Sequence, residues 1–274
     1  SFCEDETVTP VSVTFTGGTA DYDIEWTNGT TTSSQTGIST ASYELGSTAG
    51  TYSLTSISDA YCTGTVTTAS ASIEIKPTPE GNLTYNHLEY CAPTSDVTLT
   101  VEPVTGVDLT GAGYTWYKDG SVTTGTTAIK SNATAGKYYV VIDLNSCKDT
   151  TNTVTVVENP RPTYTISGGA EYCEGETITD VTITFTGTAP FSFDENETGT
   201  GKSSATTTYT ITPPTTSGTY TYQPTNITDD NGCTAAASTD NTVVEINPTP
   251  AAPTAPDHTY CVGSPVNALT ATGE

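Results

Sequence analysis

Four times along the chain an aromatic–cysteine pair opens a unit: Phe2-Cys3, Tyr90-Cys91, Tyr172-Cys173 and Tyr260-Cys261. The cysteines of these pairs lie 88, 82 and 88 residues apart. A period of that length, with strand-like alternation inside each copy, means a row of small domains rather than one large fold. Pro77-Thr78-Pro79, Pro160-Arg161-Pro162 and Pro248-Thr249-Pro250 precede units two to four. Paired prolines hold extended backbone and cannot continue a strand, so each step reads as a short, semi-rigid hinge. The resulting modules are 1–79, 80–162 and 163–250, with 251–274 the start of a truncated fourth. Because that fourth unit lacks its second cysteine, the chain reads as a piece of something longer.

Within each unit the order of segments is constant. An alternating stretch follows the first cysteine: Val11 to Phe15, Val97 to Val101, Val181 to Phe185. A second stretch carries inward-facing aromatic candidates: Tyr22 and Trp26, Tyr114 and Trp116, Phe191 and Phe193. Trp26 is the less secure core position, because unit three aligns Glu195 with it. Polar Gly/Thr/Ser segments lead to short strands near Tyr43, Ala128–Lys130 and Tyr209–Ile211, and final strands run Ala71–Ile75, Thr153–Val157 and Asn241–Ile246. About seven short strands per ~85 residues is the pattern of an immunoglobulin-like sandwich. The composition agrees: Thr is abundant, Met is absent, and no run of helix formers occurs. Thr suits an exposed strand face, with its methyl on the pleat and its hydroxyl in water. The fold expected is all-β, tandem immunoglobulin-like sandwiches, each with one disulfide, arranged as an extended rod.

A Gly-x-Tyr step recurs at Gly50-Thr51-Tyr52, Gly136-Lys137-Tyr138 and Gly218-Thr219-Tyr220. Gly tolerates positive φ, and a Tyr hydroxyl there can reach back to the backbone, so Tyr52, Tyr138 and Tyr220 are expected as structural tyrosine corners. The seven cysteines fit the repeat as three pairs, Cys3–Cys62, Cys91–Cys147 and Cys173–Cys233, leaving Cys261 unpaired. Such a framework implies an oxidising compartment. A bridge closing ~57 residues contributes about 4 kcal/mol in the loop-entropy model, comparable to much of a small module's net stability.

Catalytic chemistry is not in view. His87 and His258, the only histidines, sit in turn-like contexts and supply no triad, and the pairs Glu4/Glu6 and Glu174/Glu176 recur with the repeat. No enzyme and no cofactor are expected. Calcium is the one cation left open, because Asp194-Glu195-Asn196-Glu197 and Asp229-Asp230-Asn231-Gly232 cluster oxygens, although neither has the spaced calcium-loop pattern. A net charge of −24, from 31 acidic and 7 basic residues, repels phosphate backbones and speaks against nucleic acid. No stretch approaches the ~20 apolar residues that span a bilayer, so this segment is not expected to insert in a membrane.

The opening Tyr172-Cys173-Glu174-Gly175-Glu176, the stretch Thr182 to Phe193, the corner Gly218 to Tyr220, the turn Asp229 to Cys233 and the step Asn247 to Pro250 together resemble a known repeat type. It is similar to the immunoglobulin-like repeats of giant Bacteroidota cell-surface adhesins, among them the SprB-like gliding-motility adhesins exported by the type 9 secretion system. The resemblance covers all three full units and the stub; unit two departs most, with Cys91-Ala92-Pro93 and Asn145-Ser146-Cys147 in place of the usual turns. It implies a long extracellular filament associated with the outer membrane. The partners implied are an external surface or glycan, the secretion and motility machinery, and neighbouring modules. The competing reading is a glycan-binding accessory array of a secreted polysaccharide-degrading enzyme, which needs several aromatics on one exposed face.

Overall fold

A computed structural model describes residues 1–67, 69–252 and 259–265. Every regular element in it is a strand. Module 1 contains β1 (Phe2–Cys3), β2 (Val11–Thr14), β3 (Tyr22–Thr27), β4 (Thr32–Ile38), β5 (Ser42–Gly46), β6 (Gly50–Ser58), β7 (Ser70–Ile73) and β8 (Ile75–Lys76). Module 2 contains β9 (Gly81–Tyr85), β10 (Glu89–Cys91), β11 (Leu99–Pro103), β12 (Gly113–Lys118), β13 (Ser121–Val122), β14 (Ile129–Lys130), β15 (Gly136–Leu144), β16 (Cys147–Thr150) and β17 (Val154–Asn159). Module 3 contains β18 (Thr163–Ser167), β19 (Glu171–Cys173), β20 (Val181–Thr186), β21 (Phe191–Glu195), β22 (Gly199–Ser204), β23 (Thr208–Ile211), β24 (Gly218–Tyr222), β25 (Pro224–Thr228) and β26 (Thr242–Asn247).

The pairing builds immunoglobulin-like sandwiches. One layer of module 3 is β18-β20-β23; the other holds β19-β26-β24 and, through the continuing ribbon 218–228, β25-β21-β22. Module 2 repeats the first layer as β9-β11-β14 and the second around β17-β15-β12-β13. Module 1 has β4-β3-β6-β7 in the second layer but only β2-β5 in the first. Alternation puts one face of each strand inward. In β15, Tyr138, Val140 and Ile142 are buried; in β20, Val181, Ile183 and Phe185 are. Trp26 and Trp116 both lie in the core, and their indole Nε1–H groups donate to Leu45 O (3.1 Å) and Thr127 O (2.8 Å). Aromatic pairs close the interior, with Phe185 stacked on Phe191 at 4.8 Å and Phe15 on Tyr22 at 4.5 Å.

The Gly-x-Tyr corners share one geometry. The hydroxyls of Tyr52, Tyr138 and Tyr220 donate to the carbonyl oxygens of Thr48 (3.0 Å), Thr134 (2.8 Å) and Thr216 (3.2 Å), four residues upstream in each case. The glycine is required at Gly50, where φ is +149° and a Cβ would fall 2.2 Å from Asn28 O. Tyr138→Phe removes one part-buried hydrogen bond and keeps the ring, so a loss of about 1 kcal/mol is expected. Urea unfolding of the two chains, compared at equal m-value, measures it.

By contact density the chain forms two compact units, Ser1–Glu89 with Asp96–Val157, and Tyr90–Ser95 with Glu158–Glu274. The short opening segment of module 2 is therefore shared out to the unit that contains module 3.

Candidate functional site: cysteine staples between modules

The opening cysteine ends a strand that runs parallel to the last strand of its own module. Cys3 stands opposite Lys76 in the β1–β8 pair, and Cys173 opposite Asn247 in β19–β26. The turn that follows is tied by glutamate. Cys3 N donates to Glu6 Oε2 at 2.9 Å and Cys173 N to Glu176 Oε2 at 2.8 Å, while Glu6 N and Glu176 N return to the cysteine carbonyls. Glu6 and Glu176, which recur with the repeat, thus shape the opening turn.

The closing cysteine sits on a turn held by aspartate. Asp59 accepts from the backbone N–H of Thr19 (2.8 Å), Tyr61 (2.9 Å) and Cys62 (2.8 Å); Asp229 accepts from Cys233 N (3.0 Å) and Thr188 N (3.3 Å). The Thr19 N–H first, then those of Tyr61 and Cys62, hold the Asp59 carboxyl below the usual carboxylate range. A depressed folded-state pKa gives stability that is present above the unfolded value of ~3.9 and lost as pH falls through the folded one. Thermal melting in acid should therefore drop more steeply for the parent chain than for Asp59→Asn.

Opening and closing cysteines of one module lie at opposite ends, and this overturns the pairing expected from sequence. In module 1, Cys3 lies just past the Gly50↔Ile73 end of β6, and Cys62 just past its Ser58 end. Nine residues of strand at ~3.3 Å each place those ends about 25 Å apart, whereas a disulfide holds its Cα atoms within ~7 Å. Module 3 repeats the layout along 218–228, with Cys173 beside the Gly218 end and Cys233 beyond Thr228. The pairs Cys3–Cys62, Cys91–Cys147 and Cys173–Cys233 therefore do not form. The bonds present are Cys3–Cys147 and Cys91–Cys233, with Cα–Cα distances of 5.6 and 5.4 Å. Each joins an opening cysteine to the closing cysteine one repeat later. Cys62 and Cys173 are free and exposed, and so is Cys261.

A basic side chain flanks each staple. Lys76 Nζ donates to Asn145 O (3.2 Å), two residues before Cys147. Arg161, inside its Pro-x-Pro step, donates from Nε to Ala92 O (2.6 Å) and from Nη1 to Thr234 O (3.3 Å), the residues next to Cys91 and Cys233. These were not singled out from sequence, although cations are scarce here and both sit at a Pro-x-Pro step, which was the available signal. Asp5 Oδ1 also accepts from Thr78 Oγ1 at 3.3 Å.

The oxygen clusters weighed for calcium are engaged by the protein. Glu195 is buried and accepts from the N–H of Glu197, Thr198 and Gln223 and from Thr198 Oγ1. Asp194 accepts from Gly201 N and Asn226 Nδ2. Among the described residues, no group of three or more His, Cys, Asp or Glu is placed to hold a metal. His87 Nε2 lies 2.8 Å from Asp96 Oδ1, and His258 falls outside the described residues. No helix among the described residues is long and apolar enough to cross a membrane.

No protein-family model matches the chain, and no curated protein does. Solved structures that match include a three-domain I-band fragment of titin, at 13% identity over 90% of this chain and 94% of that one, TM-score 0.45. The three-domain ectodomain of mouse nectin-like molecule 4 matches at 12% identity over 97% and 98%, TM-score 0.44. Extracellular domains 3–5 of Drosophila OTK match at 14% over 91% and 94%, TM-score 0.37. At these values the likeness carries no argument, and the fold assignment rests on the strand pairing described above.

Proposed function

We propose that this chain is a load-bearing stalk segment of a long, secreted cell-surface adhesin or filament that works without catalysis. The observation that carries the reading is the register of the staples, which bond each module to its neighbour instead of closing it on itself. Such bonds add nothing to an active site. They keep successive modules joined when the chain is pulled, and they form in the oxidising space outside the cytoplasm. Together with the resemblance of the repeats to Bacteroidota gliding adhesins, this supports display at the outer surface, export by type 9 secretion and a part in attachment and gliding. The most exposed large aromatics, Tyr61 and Tyr85, fall singly on different modules.

The test is deletion of residues 1–250 in the source cell, with export followed by antibody. Attachment to glass and the movement of surface-bound beads should fall while export continues. Unchanged attachment and movement, or selective binding of the purified chain to a glycan array, would sink the stalk reading.

A further inference from the structure

The rim strand of module 1's second layer differs from the strands at the same place in its sisters. β4 ends the order β4-β3-β6-β7, and Thr32 to Gly37 are exposed along it. An open strand edge is a row of unpaired N–H and C=O groups, which proteins blunt by shortness, kinks or lysine. Module 2 has only the two-residue β13 there. Module 3 has β22, which Gly199 (φ +97°) and Gly201 (φ +73°) interrupt and Lys202 charges. β4 is seven residues long, and no charged residue lies between Glu25 and Glu44. Its one positive φ, at Gly37 (+69°), falls near the far end. The guard that both sisters carry is missing.

The edge is also held in shape. Asn28 N donates to Thr31 O at 3.1 Å, and bonded pairs alternate along an antiparallel ladder. Thr32 opposite Thr27 and Ser34 opposite Glu25 then fall in the non-bonded pairs. Thr32 and Ser34 therefore turn their N–H and C=O groups away from β3, towards the open side. The Tyr43 hydroxyl donates to Gln35 Oε1 at 3.3 Å and ties the same strand to β5. A strand fixed in this way loses little further freedom when another strand joins it.

We propose that β4 is a docking edge for a second copy of this chain, pairing antiparallel with the same strand around a two-fold axis at Ser33. Thr32 of each copy exchanges both main-chain hydrogen bonds with Ser34 of the other, so the two layers join as one sheet. A second copy fits because the edge offers no charge and no exposed large apolar side chain by which to select a foreign partner. What it offers is a main-chain pattern that is its own complement under a two-fold. Thr, Ser and Gln side chains meet their like across that axis, with no carboxylate facing another. The charge of −24 still repels two copies at longer range, so association should strengthen as salt rises. A contact carried by ion pairs would do the opposite. This pairing goes beyond the stalk reading and stands without it.

It is tested on the oxidised 274-residue chain carrying C62S, C173S and C261S, so that no free thiol links copies by chance. Sedimentation and hydrogen exchange are followed in dilute buffer and in ~1 M salt, where the Debye length falls to about 3 Å. A reversible dimer should form in high salt, with exchange at Thr32 and Ser34 slowing as concentration rises. Ser34→Pro deletes one outward N–H, which an edge strand tolerates, and should leave the melting temperature unchanged and the chain monomeric. Ser33→Cys gives a second readout that keeps the edge intact. Opposite Cα atoms of a non-bonded pair lie about 4.5 Å apart, within disulfide reach. Oxidation should link two copies through position 33 at least about tenfold faster than through a Thr51→Cys control on exposed β6. A parent chain that stays monomeric up to its solubility limit overturns the proposal. So do a dimer that Ser34→Pro forms as readily, protection confined to other strands, or linking at position 33 no faster than the control.

Discussion

Pulled between Ser1 and Cys173 in a C62S/C261S chain, the oxidised protein should stop extending far short of its contour length. The Cys3–Cys147 bond short-circuits 144 residues, so the shortest covalent path from Cys3 to Cys173 is the 26 residues from Cys147 onward. At ~3.5 Å per residue that limits extension to about 90 Å. With Cys62 replaced, the within-module bridge left on this path is Cys91–Cys147, which would leave 114 residues, 88 from Cys3 to Cys91 and 26 from Cys147 to Cys173. Its limit would be about 400 Å, and full reduction would release about 600 Å. Force spectroscopy separates the three lengths directly. The short limit has a structural origin, because staggered bonds make two interleaved tracks, one through Cys3–Cys147 to Cys173 and one from Cys62 through Cys91–Cys233 to Cys261. In the chain-entropy model a bond spanning ~143 residues is also worth about 5 kcal/mol against the unfolded ensemble.

Replacing Glu195 by Leu should destabilise module 3 by about 3 kcal/mol, although the repeat aligns it in sequence with Trp26 of module 1. Glu195 is 1% exposed, and its two oxygens accept from three backbone N–H groups and one hydroxyl. Leucine supplies no acceptor, and each buried donor left without one costs about 1–3 kcal/mol. Glu195→Gln keeps one carbonyl oxygen and should lose less. Urea unfolding followed through module 3 ranks the three chains. A Leu variant as stable as the parent would mean that the hydrogen bonds around Glu195 contribute nothing.

Much of the fold is legible in the residues because local rules and the tertiary layout agree. Alternation in Val181 to Phe185 and in Val97 to Val101 belongs to strands with one buried face, and these are β20 and the start of β11 with the residues leading into it. The Gly-x-Tyr steps become corners because only glycine takes the required φ and the hydroxyl needs a carbonyl only four residues back. The strands β4 and β22 were not legible. In β4 only Ile38 is buried, so Thr32 to Gly37 carry no apolar signal and read as a polar connection. Glu195 escaped for a related reason, since a carboxylate looks like surface until its neighbours' N–H groups are seen to converge on it.

The sequence by itself determined the repeat period, the all-β sandwich pattern, and one opening and one closing cysteine in each of the three full repeats. Partner choice it left open, because a strict repeat gives regular separations under either pairing: 59, 56 and 60 residues within modules, or 144 and 142 across them. Only the tertiary structure decided. The opening cysteine lies beside the last strand, where the chain leaves its module, and the closing cysteine lies a strand's length away, at the end that receives the preceding module's opening cysteine. A bond a few ångströms long can join neighbours across that junction, and it cannot reach along the sandwich.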